Sequence, residues 1–403
     1  MPGDAADVDR RQLADRLAAA VAGLADPRSP LVVVDLDAFD ANAADLARRA
    51  AGTPVRVASK SVRVPALLRR VLDREGFRGV LSYALREALW LVEQGTCDDV
   101  VLGYPTVDRV ALRRLAADPR ARASVTLMVD CVAHLDLVEA GEPAGPVRVA
   151  IDVDAGLRVG PGHLGPKRSP LVGPDEVVAL AREVLRRGFT LAGVMTYEGQ
   201  VAGVPDDVPG QRVRSFAVRR VKAASVSQLA RRREQIARAL AGVAELEFWN
   251  AGGSGSVEST VADPVVTEVA AGSGLLVPGL FDHYRSFRPR PAAFFAVPVV
   301  RRPGPEVVTV AGGGFVASGA VGKDRLPQPW APPGLRLTAL EGAGEVQTPL
   351  VGPGSRGLAV GDWVWFRHAK AGELAEHTDT VHLVRGESVV ESVPTYRGLG
   401  HTW

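Results

Sequence analysis

Lys60 closes the short run Val57-Ala58-Ser59-Lys60. A lysine at the end of a strand, walled by apolar side chains, has a lowered pKa and can form an imine with a carbonyl group. Far along the chain, Asn250-Ala251-Gly252-Gly253-Ser254-Gly255-Ser256 follows another apolar run. Glycines let the backbone turn its N–H groups toward an anion, and the serine hydroxyls add donors. A Schiff-base lysine facing a phosphate cradle is what pyridoxal phosphate requires, although a class I sugar-phosphate aldolase needs the same pair. Arg158, in Asp152-Val153-Asp154-Ala155-Gly156-Leu157-Arg158-Val159-Gly160, favours the first reading. Aimed at a pyridine nitrogen, it would keep that nitrogen unprotonated and restrain unwanted carbanion reactions. The bland readings are a salt-bridged lysine, a plain glycine turn and a carboxylate-paired arginine.

Such groups need a scaffold. β-Branched runs at 31–36, 54–58, 80–83, 99–103, 124–130, 147–153, 191–197 and 245–250 alternate with amphipathic stretches. The alternation predicts βαβ units, and eight repeats predict a (β/α)8 TIM-type barrel whose strands present functional groups at their C-terminal ends. In this count Lys60 ends the second strand and the Gly-Ser loop follows the eighth. Residues 201–241 read as a turn-rich loop and an Arg-rich helix, either a lid or a surface connection. After Pro278 the helical periodicity gives way to Gly, Pro and short Val-rich runs, which predict a C-terminal antiparallel β domain. The expected division is an N-terminal helical segment at 1–29, a barrel at 30–284 and a β domain at 285–403.

Of the 403 residues, 48 are Lys or Arg and 46 Asp or Glu, without a long run of either sign. That excludes a nucleic-acid binder driven by phosphate contacts. Only five of the 48 basic residues are lysines, so each deserves inspection. Cys97 and Cys131 are the only cysteines, too few for a disulfide framework or a zinc cluster, and point to a reducing compartment. No stretch reaches the ~18 apolar residues of a membrane span. A cytoplasmic enzyme of a small molecule, without nucleic-acid or membrane partners, is the expectation.

Together the Lys60 segment, Asp152 to Gly160, Tyr197-Glu198-Gly199, Gly252 to Ser256 and Glu268 to Tyr284 resemble the fold-type III pyridoxal-phosphate enzymes. The similarity is to the D-threonine aldolase and D-serine dehydratase branch, with alanine racemase a more distant cousin. The resemblance implies that Lys60 is the internal aldimine lysine and the proton shuttle at Cα, and that Arg158 faces the pyridine ring. It implies that Tyr197 and Gly199 contact the cofactor, that Gly253, Ser254, Gly255 and Ser256 close the phosphate site, and that Tyr284 lies near the phosphate. A homodimer is implied as well, each β domain completing the partner's site.

Two departures bear on the reaction. The branch has a histidine where this chain has Glu198. It also carries a divalent metal on a His-x-Cys or His-x-Asp pair, which polarises the substrate hydroxyl. Here that pair falls either on His368-Ala369-Lys370, where a lysine replaces the anionic ligand, or on His377-Thr378-Asp379. The first alignment is favoured, with His368 and Lys370 as catalytic groups and Lys370 standing in for the cation beside the substrate; the metal stays open. The implied activity is a lyase acting on a D-β-hydroxy amino acid by retro-aldol cleavage or dehydration. The alternatives are an amino-acid racemase and a non-catalytic pyridoxal-phosphate-binding protein. A racemase of the usual type needs a tyrosine early in the β domain, and none lies between Tyr284 and Tyr396.

Overall fold

A computed structural model describes residues 2–403, with side chains from residue 8 onward. A helix at Pro2–Val21 leads into eleven strands: β1 (Leu31–Asp35), β2 (Val55–Ala58), β3 (Phe77–Ser82), β4 (Val100–Leu102), β5 (Val125–Val129), β6 (Arg148–Asp152), β7 (Leu157–Val159), β8 (Gly162–Leu164), β9 (Thr190–Thr196), β10 (Phe248–Ala251) and β11 (Glu268–Ala271). Eight of them close a parallel barrel in the order β2-β3-β4-β5-β6-β9-β10-β11, and β7 with β8 forms a separate hairpin. The barrel with its helices, followed by a β domain, is the architecture expected.

Its strand membership differs from the expectation at both ends. β1 is not a barrel strand: it pairs antiparallel with Ala293–Gly304 (β12) and parallel with Thr380–Arg385. All five of its residues are buried. Leu31 and Val33 pack with Phe294 and Trp365, while Val32 and Val34 join the main core. An apolar run buried on both faces looks the same in a barrel and in the middle of a covered sheet. The eighth barrel strand is β11, whose four residues Glu-Val-Ala-Ala carry little β signal. Lys60 therefore follows the first barrel strand and the Gly-Ser loop the seventh. Both remain at C-terminal strand ends.

Inside the barrel Val101, Met128, Ala150, Met195 and Phe248 form one packed layer. Beneath it Arg56, 2% exposed, bonds Glu268 at 2.7 and 2.8 Å and Asp99 at 2.8 and 3.2 Å, plugging the N-terminal end. The second sheet continues after β12 with Val307–Ala311, Gln328–Ala331, Arg336–Leu337, Gln347–Val351, Trp363–Arg367, Thr380–Arg385 and Ser388–Pro394. β1 lies inside it, and the N-terminal helix covers it through Leu17 and Val21. The chain end returns to the barrel, where the Tyr396 hydroxyl donates to Glu87 at 2.9 Å and Trp90 meets the rings of Tyr396, His401 and Trp403.

The long connection after β9 is hydrogen-bonded to the segment that leaves the barrel. Backbone N–H groups of Asp206 and Asp207 donate to the His283 carbonyl, and a 29-residue helix, Arg212–Leu240, follows. No helix among the described residues is long and apolar enough to cross a membrane.

Candidate active site

The C-terminal mouth of the barrel holds a cavity of about 320 Å³. Lys60 projects into it from the turn after β2 and donates to the Tyr104 hydroxyl at 2.8 Å. That turn is fixed from two sides. Arg63, in the left-handed region at φ 55, donates from Nε to the Lys60 carbonyl at 3.0 Å. Gly372, at φ +87, presses so closely that a Cβ would lie 1.9 Å from the same oxygen. Only glycine fits there, and the contact brings the preceding Lys370 over the mouth. Lys370 Nζ donates to Ser318 Oγ at 2.8 Å, and both line the cavity.

Tyr104 follows β4 by two residues. Burial alone would push its phenol up, but the charges of Lys60, Arg168 and Lys370 outweigh burial and hold it below its ordinary value. Arg168 enters from the irregular segment between β8 and β9. Its guanidinium lies 5.3 Å from the Tyr104 ring centre and 5.2 Å from that of Tyr197, a spacing that permits cation–π attraction to both. Asp152, at the end of β6, is pushed up to about 7 by burial, against the pull of Arg168.

The glycine loop lines the opposite side through Gly252, Gly253 and Ser254. Ser254 Oγ accepts from the Gly272 and Gly274 N–H groups at 3.3 and 2.9 Å, joining the ends of β10 and β11. Glu198 stands where the branch has a histidine, but it is buried and does not face the cavity. It accepts from the Gly252 N–H at 3.1 Å, Thr260 Oγ1 at 2.6 Å and Arg233 at 3.0 Å. Arg233, from the Arg212–Leu240 helix, also bonds Asp263 and Thr196. The carboxylate thus anchors the cradle from below.

Of the residues expected at the site, the cavity gathers Lys60, Tyr197, Gly253, Ser254 and Lys370. Gly255 and Tyr284 act from behind the loop: Tyr284 donates its hydroxyl to the Ala202 carbonyl at 2.9 Å, and a Cβ at Gly255 would lie 2.5 Å from the Tyr284 ring. Ser256 Oγ bonds within the loop to the Gly253 N–H, and Gly199 packs on Pro166. Arg158 is displaced from its expected role. It sits on the β7–β8 hairpin with its side chain 44% exposed, near Asp154 and Gln228. Arg168 and Arg325 are the arginines that line the mouth.

His368 also departs from expectation. Its ring is fully buried against Val32, Val34, Val62 and Leu276, neither nitrogen finds a hydrogen-bond partner, and burial pushes its pKa down to about 3. The backbone after Arg367 turns it inward, away from Lys370. The competing pair fares no better, because His377 stacks on Phe315 at 4.3 Å and exposed Asp379 pairs with Arg397 at 3.3 Å. These donors do not converge, so they do not fit the metal of the branch. One group that sequence reading passed over, Asp130, Cys131 and His134, has donor atoms within 4.8 Å of one another. Tyr104 could have been found by the strand-end rule that selected Lys60; Arg168 and Ser318 lie on irregular segments without any such signal.

A closed barrel with a lysine at the end of one of its strands, beside a glycine cradle and under a β domain, defines a fold-type III pyridoxal-phosphate enzyme. The sequence matches the family described as alanine racemase, N-terminal domain, over residues 34–277, and the chain belongs to that family. Among solved structures it is similar to D-threonine aldolase from Filomicrobium marinum, at 23% identity and a TM-score of 0.78, covering 93% of this chain and 96% of that one. D-threo-3-hydroxyaspartate dehydratase from Delftia sp. HT23 follows at 20% and 0.70, covering 93% and 98%. Alanine racemase from Clostridium difficile 630 gives 13% and 0.59, covering 92% and 99%. No curated protein sequence matches.

The residues present fit the cofactor that this family implies. Lys60 offers the amine. Side chains cannot fill the cradle, since a Cβ at Gly253 would meet Ala202 at 2.9 Å and one at Gly272 would meet the Ala58 carbonyl at 2.5 Å.

Proposed function

We propose that the chain is a lyase acting on an amino acid of D configuration at Cα that carries a hydroxyl at Cβ. The observation that carries this reading is the pairing of Lys60 with Tyr104 beneath Lys370. Racemisation needs proton-handling groups on opposite faces of the substrate, whereas Lys60 and Tyr104 are hydrogen-bonded neighbours. The names of the two lyases above, one an aldolase and one a dehydratase, support the same class.

Bound pyridoxal phosphate supplies an electron sink for charge that develops at Cα. Lys60 would hold it, with the Gly252–Ser254 backbone beside its phosphate and Arg168 beside its ring. Within the chain, Lys60 moves the proton at Cα. Lys370 places a positive charge near the β-oxygen, offsetting negative charge there as a metal would. Cleavage of Cα–Cβ yields glycine and an aldehyde; loss of the hydroxyl as water yields a 2-keto acid and ammonia.

The test adds D-threonine to the holoprotein and follows aldehyde and keto acid, with absorbance near ~420 nm as the report of the lysine–cofactor bond. Product from wild type, and loss of both band and product in Lys60→Ala, are expected. Solvent deuterium entering Cα without bond cleavage would identify a racemase instead. Pairing of two copies belongs to this proposal and is read by sedimentation.

A further inference from the structure

Just past β5, three chemically different donors meet outside the cavity. Asp130, Cys131 and His134 offer a carboxylate oxygen, a sulfur and a ring nitrogen, all within 4.8 Å of one another. The chain brings them together by ending a strand and starting a helix at once. Asp130 directly follows β5, and Cys131 is the cap of the helix Val132–Glu139. The His134 N–H donates to the Cys131 carbonyl at 3.2 Å, so both side chains hang from one turn. Residues three apart on a helical turn are neighbours. None of the three lines the mouth cavity.

The hydrogen bonds around this group leave a place for a cation. The Asp130 N–H donates to His134 Nδ1 at 3.3 Å, which makes that nitrogen the unprotonated one. Asp130 Oδ1 nevertheless lies 3.1 Å from the same atom. Two lone-pair atoms at that distance repel each other unless positive charge lies between them. Asp130 is 9% exposed, and among the described residues no arginine or lysine pairs with it, in a chain with 48 basic residues. The sulfur is available too. Cys97, the other cysteine, donates its thiol to the Asp99 carbonyl at 3.2 Å, whereas half-buried Cys131 makes no such bond.

We propose that Asp130, Cys131 and His134 bind a zinc ion through one carboxylate oxygen, one thiolate and Nδ1. Thiolate and imidazole select a borderline-soft ion such as Zn2+ over Mg2+ or Ca2+, which take oxygen ligands. Bonds of about 2.0–2.3 Å to a tetrahedral ion set its donors about 3.3–3.7 Å apart. Asp130 and His134 already stand near that spacing, and rotation of the Cys131 side chain supplies the third bond. On binding, the Cys131 thiol gives its proton to solvent, and the Nδ1 lone pair turns from the Asp130 N–H to the ion. Water completes the fourth position. The ion ties the end of β5 to the start of its helix, apart from the cavity and independently of the lyase reading.

The test takes the holoprotein, strips it of metal with EDTA, and adds Zn2+ alone. Equilibrium dialysis with metal analysis reads the bound zinc. Alkylation by iodoacetamide, followed by mass spectrometry, reads Cys131, with Cys97 as the internal standard. Wild type should bind a single tight Zn2+ per chain. The ion should slow alkylation of Cys131 by at least ~10-fold and leave Cys97 unchanged, since a metal-bound thiolate is a poor nucleophile. Cys131→Ala and His134→Gln should each lose the tight zinc, and zinc should no longer protect Cys131 in His134→Gln. Unchanged alkylation of Cys131 in wild type overturns the inference whatever the variants do. Tight zinc that survives Cys131→Ala, or protection that survives His134→Gln, overturns it as well.

Discussion

Lys60 and Tyr104 share a 2.8 Å hydrogen bond although the two residues end different barrel strands. The lysine can therefore rest against a group that also exchanges protons. With three cations around it, the phenol ionises at lower pH than an ordinary tyrosine.

Tyr104→Phe should keep the cofactor band, because Lys60 and the cradle remain, yet lose roughly 10- to 100-fold in kcat. Wild type should show a pH–rate limb from the phenol below the usual tyrosine range, and the variant should lack it. A full-strength enzyme with the same pH profile would show that Tyr104 only fills space.

Buried Glu87 sets a pH dependence of stability. Burial pushes its pKa up to about 7, against the hydrogen bonds from the Tyr83 N–H and the Tyr396 hydroxyl. The folded protein therefore binds this proton more tightly than the unfolded chain does. The contribution is complete below the unfolded value, about 4.5, and is lost as pH rises through about 7. It amounts to roughly 3 kcal/mol for a group this buried. Asp152 acts with the same sign. Urea unfolding of Glu87→Gln across this range should give about half the wild-type slope.

Arg56→Leu removes the charged partner of Glu268, which is only 4% exposed and keeps only the Asn250 amide. An uncompensated buried carboxylate costs about 3–5 kcal/mol. Denaturant melts should show that loss, and adding Glu268→Leu should restore most of it.

His368→Leu should leave stability within about 1.5 kcal/mol of wild type and leave metal content unchanged. Its ring nitrogens have no partners to lose, and the leucine would meet the same apolar walls. Loss of a bound metal with this variant would sink the assignment of His368 to the core.

Much of the site was legible because strand ends announce themselves. Lys60 and Tyr197 follow runs with β-branched residues, the Gly252–Ser254 loop follows the aromatic pair Phe248-Trp249, and each lines the cavity. Arg158 was misread because the chain turns back at once into the β7–β8 hairpin, which no periodicity signals. His368 was misread because the alternation that decides which way a side chain points fails in the turn after Trp363–Arg367. β1 was placed in the wrong sheet, since its pairing partners lie near the other end of the chain and burial on both faces suits either location.

That placement of β1 has a consequence for how the protein can be made. The β domain borrows a central strand from a segment that precedes the barrel in the chain, and the barrel is threaded between the two contributions. During synthesis β1 must wait with both edges unpaired until residues 293–385 arrive. A single cut after the barrel would therefore yield neither half as a complete unit, and the two sheets are inherited, exchanged or lost together.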